Sequence, residues 1–340
     1  MTIHRRMLLA GSVAIAALFS LPALAQQVTL KYAHFQPARD DQPKHKAALA
    51  FKEHVEKATK GSVSVQIFPA GQFGNDAATM EGLKLGTLEM AVAHDGAIST
   101  VYRPVGILGI PFMFESHAHA WAVYDSAWRD EFGAGMTKAT GIRLLEFADN
   151  GIRHFTNSKA AISSPADMKG MKMRIQPSPV FRALVESLGA SASAIPWAEL
   201  PTALQSKVVD GQENGVSNIL AASLFQYQKF VSLTGHVYSS HAYLVNDAFF
   251  SKLTADQQKA VREGAVLARD IHRKMTSDQD KDAKRILTEK GLTVTELSAA
   301  QIAEFRKLAQ PPVVEWANKE IGKEHVDALL KAVDANRPKS

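Results

Sequence analysis

The sequence predicts an α/β protein made of two doubly wound α/β domains with a ligand cleft between them. Strand-type and helix-type hydrophobic patterns alternate along the chain, which favours parallel sheets covered by helices. The chain has 340 residues, and single hydrophobic cores stop growing beyond about 250 to 300 residues. We therefore expect two domains, each with its own core.

The first 25 residues have the features of an export signal. Arg5 and Arg6 precede an apolar run at 7–21, and the Ala-Leu-Ala sequence at 23–25 fits a cleavage site. The run is shorter than the roughly 20 residues of a membrane-spanning helix. We expect cleavage near Ala25 and a soluble periplasmic product.

The composition argues against several functional classes. The chain contains no cysteine, which excludes a disulfide scaffold, a thiolate metal site and cysteine catalysis. Its 39 Lys and Arg against 34 Asp and Glu form no basic cluster, so nucleic-acid binding is not expected. No nucleophile or metalloprotease motif occurs, and His117 and His119 would point in different directions on a helix. We expect no enzyme activity, no metal and no cofactor.

The first half shows three strand patterns and two helix patterns in alternation. We predict strands at 28–34, 63–68 and 88–93, one helix between the first two strands and a second, short helix at about 76–85. Asp41 and Pro43 open the first helix and Gly61 closes it, with Ala47, Phe51, Val55 and Ala58 spaced for one buried face. This order predicts a parallel sheet.

The second half repeats the alternation. We predict strands at 173–175 and 192–195, a helix at 180–188, and a helix through Leu200, Ala203 and Leu204. No flexible linker separates the two units, so we expect shared crossover segments. We assign 26–150 plus about 240–279 to domain I, and 151–239 plus about 280–340 to domain II.

One long helix is predicted at 254–290. Thr254 and Gln257 form a capping box, no proline interrupts the segment, and Gly291 ends it. Such a helix would be on the order of 50 Å long, enough to span both domains. The alternative is two shorter helices with a break in the polar stretch at 276–280.

Candidate site residues follow from a rule of open α/β sheets, in which ligands bind beyond the carboxyl ends of the strands. The residues in or after the predicted strands include cations, amides and aromatic rings, which are typical of binding. They are His34, Phe35, His94, Asp95, Arg174, Gln176, Trp197 and Asn214.

Arginine and tryptophan at these positions each have two interpretations. Alternation with Met173 and Ile175 by itself favours a solvated strand face for Arg174, whereas its planar guanidinium suits a carboxylate ligand. Arg153 is either a surface residue or a second cation. Trp197 is either a core residue or a wall of the pocket.

Two motifs resemble a signature of the TRAP-transporter solute-binding proteins, the extracytoplasmic dicarboxylate-receptor family. They are DMKGMKMRIQ at 167–176 and IPWAELPTALQSKVVDGQEN at 195–214. The similarity extends from Val28 to about residue 310 and includes FPAGQFG at 68–74. Pro201 and Gly215 depart from the pattern, because many relatives have tyrosine and proline there.

The resemblance implies a role for several residues. It implies that Arg174 holds the carboxylate of the substrate and that Arg153 is a second arginine. By the same matching, Trp197 resembles the aromatic residue beside the ligand, Asn214 the amide that bonds it, and His94 and His241 the residues that line the opposing surfaces.

The resemblance also implies a function. It implies a periplasmic receptor that closes around a C4-dicarboxylate or a related hydroxy or keto acid. The implied partners are the small and large membrane subunits of a secondary, ion-driven transporter, and we expect the receptor to be a monomer. An aromatic or sugar acid as ligand, and a sensor as partner, remain alternatives.

Overall fold

The structure is a computed structural model and describes residues 27–338. The predicted export signal at 1–25 lies outside the described residues. Among residues 27–338, no helix has both the length and the apolar character needed to cross a bilayer.

Nine strands form one mixed sheet within residues 27–338. They are β1 Val28–Ala33, β2 Val63–Phe68, β3 Met90–His94, β4 Ile142–Asn157, β5 Lys172–Ile175, β6 Ser191–Ala194, β7 Gly211–Asn214, β8 Phe230–Asn246 and β9 Thr293–Glu296. Their spatial order is β2-β1-β3-β8-β4-β7-β5-β6, with β9 beside β8.

Helices cover both faces of this sheet. They are α1 Pro43–Ala58, α2 Asp76–Leu85, α3 Asp95–Ile98, α4 His117–Tyr124, α5 Ala127–Thr140, α6 Pro179–Ser187, α7 Leu200–Gln205, α8 Val216–Ala221, α9 Asp247–Lys252, α10 Ala255–Lys281, α11 Ala283–Glu289, α12 Ala299–Ala317 and α13 Lys323–Ala335. Short 3-10 turns lie at Arg103–Gly109, Pro165–Met168, Trp197–Glu199 and Leu224–Gln226, and a π turn at Asn318–Gly322.

Two long antiparallel strands, β4 and β8, run through both parts of the sheet. The later part of β8 pairs with β3, and its first residues pair with β9. The end of β4 pairs with β7. We call the part that contains β1 to β3 the first half, and the part that contains β5 to β7 and β9 the second half. The parallel strands of each half therefore flank a shared two-stranded ribbon.

The predicted α/β class is confirmed, and the predicted elements lie close to their observed positions. Strand β1 pairs in parallel with both β2 and β3, as the β-α-β-α-β order predicts. Helix α1 has Gln42 rather than Asp41 at its cap position, and Ala58 is exposed instead of buried.

The long strands β4 and β8 were not predicted from the sequence. Both are buried along nearly their whole length. A strand buried on both faces lacks the alternation of polar and apolar residues that identifies a strand with one solvated face. Their pairing also makes the sheet mixed rather than wholly parallel.

The predicted long helix is divided in two. The capping box is present, since Thr254 Oγ1 accepts from Gln257 N and Gln257 Oε1 accepts from Thr254 N. The helix ends at Lys281 and α11 starts at Ala283, so the break lies just beyond the polar stretch considered as the alternative. Helix α10 still contacts α1 in the first half and α8 in the second.

The ribbon is irregular near Gly151, where it passes from one half to the other, and we call this place the crossing. This glycine has φ +100°, and the pairing register shifts between Asp149 and Gly151. Gly215 packs against the same place, where a Cβ would lie 2.7 Å from the carbonyl oxygen of Asn150. That close approach leaves no room for a side chain at position 215 unless the backbone shifts. The crossing lies near the predicted domain boundaries at 150 and 240. Helix α13, which falls in predicted domain II, packs on α4, which falls in predicted domain I.

A half-buried histidine, His117, joins three elements at this crossing. His117 Nδ1, on α4, lies 2.7 Å from Asp149 Oδ2 on β4, and its Nε2 lies 3.2 Å from Asp280 Oδ2 on α10. Burial alone would lower the pKa of His117, but the two carboxylates outweigh it and raise the pKa to about 9. The imidazolium is therefore the stable form at neutral pH, and it contributes to the stability of the crossing.

We expect the His117→Gln variant to lose on the order of 2 to 3 kcal/mol of unfolding free energy at pH 6, because one pKa unit corresponds to about 1.4 kcal/mol. The pKa in the folded state is raised above the unfolded value, so the stabilisation is complete below about pH 6.5 and is lost as pH rises to about 9. Urea unfolding at several pH values measures the loss. His325→Gln, at a half-exposed position of α13, serves as the control, and an equal loss at pH 6 and pH 9.5 would contradict the assignment.

Candidate functional site

A narrow pocket of about 20 Å³ lies between the two halves, at the carboxyl ends of parallel strands from each. The lining residues comprise two cations, five amides, two histidines and two aromatic side chains, and no carboxylate. They are Phe35, Gln36, Lys44, His94, Asn150, Arg174, Gln176, Trp197, Asn214, Asn218 and His241. Such a lining suits an anion with additional polar groups.

Arg174 lies on β5 and is 1% exposed. Its Nε donates to the carbonyl oxygen of Ile195 at 2.8 Å. Its two terminal nitrogens donate to no other side chain or carbonyl group among the described residues. Burial lowers the pKa of Arg174 to about 10, and Glu213 partly opposes this shift. The guanidinium remains charged at neutral pH, and its free edge faces a pocket without acidic residues.

Lys44 is the second cation of the pocket and belongs to the first turn of α1. It is 4% exposed, and its Nζ donates to Asn218 Oδ1 at 3.0 Å. Burial, followed by the charge of Arg153, lowers the pKa of Lys44 to about 7. No ion pair joins Lys44 to a carboxylate in residues 27–338.

Three asparagines connect the halves through side-chain hydrogen bonds. Asn218 Nδ2 donates to Asn150 Oδ1 at 2.6 Å and to Asn214 Oδ1 at 2.9 Å. Asn214 Nδ2 in turn donates to Gln212 Oε1 at 3.0 Å. Because each amide bonds another amide, the network fixes the orientation of the polar groups at the bottom of the pocket.

Two histidines form the first-half wall. His94 Nε2 lies 3.3 Å from Asp76 Oδ1, and its Nδ1 accepts from the backbone N–H of Ala97. His241 pairs with His94 across β8 and β3, and burial, followed by Lys44, lowers its pKa well below the usual value. His241 is therefore a neutral imidazole at neutral pH.

Asp95 lies between the halves behind the pocket and does not line it. Its Oδ1 accepts from Gln176 Nε2 of the second half at 2.8 Å and from Ser239 Oγ at 3.2 Å. Burial raises the pKa of Asp95, and His94 only partly opposes that shift. The Asp95–Gln176 hydrogen bond directly links the two halves.

Phe35 and Trp197 form the apolar boundary of the pocket. Both also line a larger outer cavity, in which about 420 Å³ is open to the centre of a water molecule. Trp197 is half-buried and follows β6, while Phe35 lies edge-on to His94 with ring centroids 6.2 Å apart. The two rings therefore separate the polar pocket from a more open cavity, which is lined mostly by small and apolar residues but also by Asn75 and Asp76.

Arg153 does not line the pocket. It is 1% exposed, and its guanidinium forms a two-point ion pair with the carboxylate of Glu213, including an Nη2 to Oε1 bond of 2.8 Å. Its Nη2 also donates to the carbonyl oxygen of Glu213. Burial alone would raise the pKa of Glu213, but Arg153 outweighs it and lowers the pKa. Arg153 also lies close enough to Arg174 for its positive charge to lower the pKa of Arg174.

His34 also lies outside the lining. Its Nε2 is 3.2 Å from His45 Nδ1, and burial followed by His45 lowers its pKa to about 3. The strand-end rule identified the correct edge of the sheet, but the side chain of His34 points behind the pocket and that of Phe35 points towards it.

Four lining residues were missed in the sequence: Gln36, Lys44, Asn150 and Asn218. Gln36 directly follows the two candidates after β1, and the strand-end rule could have included it. Asn218 lies four residues after Asn214, a spacing that places it near the same strand end. Lys44 resembles a solvated lysine at a helix start, and Asn150 lies within the unpredicted strand β4.

The comparisons with known proteins agree on one protein family. The profile of the DctP family, described as bacterial extracellular solute-binding protein family 7, matches residues 33–320. An uncharacterized protein of Sinorhizobium fredii is 36% identical over 287 residues, which are 82% of this chain but 51% of that protein. The chain thus spans about half the length of this relative.

Two relatives of similar length have names that state a ligand. The 2,3-diketo-L-gulonate-binding periplasmic protein YiaO of Escherichia coli is 32% identical over 278 residues, 82% of this chain and 84% of that protein. The C4-dicarboxylate-binding periplasmic protein DctP of Rhodobacter capsulatus is 30% identical over 328 residues, 95% of this chain and 96% of that protein.

Solved structures agree with this fold. The sugar-acid-binding protein of Advenella mimigardefordensis in complex with galactonate aligns with a TM-score of 0.86 at 29% identity, over 92% of this chain and 99% of that one. A TRAP periplasmic solute-binding protein of Polaromonas bound to D-erythronate aligns with a TM-score of 0.83 at 31% identity, over 89% of this chain and 98% of that one.

The buried Arg153–Glu213 pair gives a prediction on stability. We expect Glu213→Gln to lower the unfolding free energy by roughly 3 to 5 kcal/mol, because it leaves a buried guanidinium without its counter-charge. Glu186→Gln removes the exposed partner of Arg182 and is expected to cost less than about 1 kcal/mol. Denaturant unfolding of both variants measures the difference, and similar values for the two would show that the buried pair has no special weight.

Proposed function

The chain belongs to the bacterial extracellular solute-binding proteins of family 7, and from this premise we propose that it is a periplasmic receptor for a small organic acid. It binds the acid between its halves, closes around it and delivers it to the small and large membrane subunits of a TRAP-type transporter. The membrane partners follow from the family.

The observation that carries this proposal is the free edge of a buried guanidinium. Arg174 has its Nε engaged by Ile195, and its terminal nitrogens face the pocket. Two parallel N–H donors match the two oxygens of a carboxylate, so a ligand carboxylate supplies the counter-charge that the protein does not. Asn214 and Trp197 lie in the same pocket and can donate a hydrogen bond and present an aromatic face to the ligand.

The remaining lining narrows the ligand class. Amides from both halves and the imidazoles of two histidines suit oxygen atoms of a carboxylate, hydroxyl or keto group. A C4-dicarboxylate or a related hydroxy or keto acid fits the polar and cationic character of this lining. The dicarboxylate, diketo-acid and sugar-acid ligands named for the similar proteins belong to the same chemical group.

Closure strengthens the central interaction. The pocket walls come from both halves, and the Asp95–Gln176 bond forms only when the halves meet. Bringing them together excludes water, and the attraction between guanidinium and carboxylate increases as the local dielectric constant falls. The closed, liganded form is then the species presented to the transporter.

We infer that the ligand is returned unchanged, so that the protein acts as a receptor and not as an enzyme. Incubation with a bound acid, followed by mass spectrometry of the small molecule, tests this inference. A product of different mass would contradict it.

Replacement of Arg174 by alanine is expected to weaken binding of the ligand by on the order of a hundredfold or more, because the carboxylate loses its buried partner. A thermal-shift screen with mono-, di- and aromatic carboxylates first identifies the ligand, since binding to the native state raises the melting temperature. Isothermal titration then gives Kd for the native protein and the variant.

Two further variants control this experiment. Arg182→Ala, an exposed arginine on α6, is expected to leave Kd unchanged. Arg174→Lys keeps the charge but loses the two-donor geometry, so intermediate affinity is expected. A Kd for Arg174→Ala within about threefold of the native value would refute the role of this residue.

A further inference from the structure

The pocket contains two buried cations that form no direct ion pair within residues 27–338, and they come from opposite halves. Arg174 belongs to β5 of the second half, and Lys44 to α1 of the first. Both are at most 4% exposed and both line the pocket. Neither forms an ion pair with a carboxylate in the described part of the chain. Burying a charge without an ion-pair partner costs free energy, so an anionic group beside each of the two cations would stabilise the site.

The surroundings of Lys44 leave part of its ammonium group free. One hydrogen bond goes to Asn218 Oδ1, and an ammonium group has three donors. Asn218 is itself held by bonds to Asn150 and Asn214, so it cannot turn towards another partner without breaking them. The titratable and charged groups around Lys44 are three histidines and one arginine, and none is an acid: His34, His241, His272 and Arg153.

We propose that Lys44 is a ligand-binding residue whose ammonium group pairs with a second anionic group of the acid held by Arg174. The inference rests on the proposed function and extends it, because it assigns the opposite end of the ligand. The ligand is then a small dianion, which supplies one negative charge to each of the two unpaired cations.

This arrangement connects charge to closure. A dianion that bonds Arg174 on one half and Lys44 on the other bridges the halves, so both ion pairs form fully only in the closed state. A monoacid of the same length satisfies Arg174 and leaves Lys44 buried without a partner. Discrimination between the two therefore arises from the second ion pair, which a monoacid does not form.

Binding of a dianion takes up a proton at Lys44. Burial and the charge of Arg153 lower the pKa of Lys44 to about 7, so a large fraction of the free protein carries a neutral amine at neutral pH. A bound anion favours the ammonium form and raises that pKa. We expect uptake of about half a proton per ligand at pH 7, approaching one at pH 8, and weaker binding as pH rises further.

The test is isothermal titration at pH 7 and pH 8, in buffers of different ionisation enthalpy, which reports the number of protons taken up. The probes are C4 to C6 dicarboxylates, including succinate and malate, with butyrate and galactonate as monoacids. The variants are Lys44→Met and Lys44→Gln, which remove the charge. Lys46→Met, at an exposed position of the same helix, is the matched control.

We expect Lys44→Met to weaken a dicarboxylate by on the order of a hundredfold, to change a monoacid by less than about threefold, and to abolish the proton uptake. Lys46→Met is expected to behave like the native protein. Melting curves establish that each variant is folded.

Two results would overturn the inference while leaving the proposed function intact. One is binding of a monoacid that depends on Arg174 when no dicarboxylate binds. The other is dicarboxylate binding that Lys44→Met and Lys44→Gln leave unchanged. Failure of every acid to bind the folded protein would instead reject the proposed function itself.

Discussion

The antiparallel pairing of β4 with β8 is the constraint on which the rest of the molecule depends. Each strand belongs to both halves, so the halves share one hydrogen-bonded ribbon and keep a fixed relationship along it. Relative movement must be absorbed where the pairing is irregular, and the register shifts lie between Leu144 and Phe155. Because the pocket lies beside this ribbon, a small change in its twist alters the separation of the pocket walls.

The buried cations in and near the pocket are stabilised in two different ways. Arg153 has its carboxylate partner, Glu213, inside the protein. Arg174 and Lys44 have polar partners but no counter-charge of their own. The first arrangement contributes to folding. The second leaves two cations available to attract an anionic ligand. Because these charges are buried without an ion pair, they lower the stability of the empty receptor.

The sequence predicts the parallel units well, because their strands and helices alternate in pattern and have clear caps, such as Asn75 before α2 and Thr254 before α10. It does not reveal β4 and β8, whose two buried faces remove the alternation. For the site, position after a strand places Phe35, His94, Arg174, Gln176, Trp197 and Asn214 at the pocket, and the resemblance adds His241. The partner of Arg153 lies 60 residues away, and the burial of Lys44 depends on the other half, so neither is visible in local pattern.

The hydrogen bond between Asp95 and Gln176 has a consequence for how such a receptor can adapt. Its carboxylate, on Asp95, does not line the pocket, so a change at Asp95 shifts the balance between open and closed forms without removing a lining group. Selection acting on this bond would move the concentration range in which the receptor responds without altering the order in which it prefers its ligands. A change in this bond would therefore adapt the receptor to a scarce or an abundant nutrient without changing which nutrient it prefers.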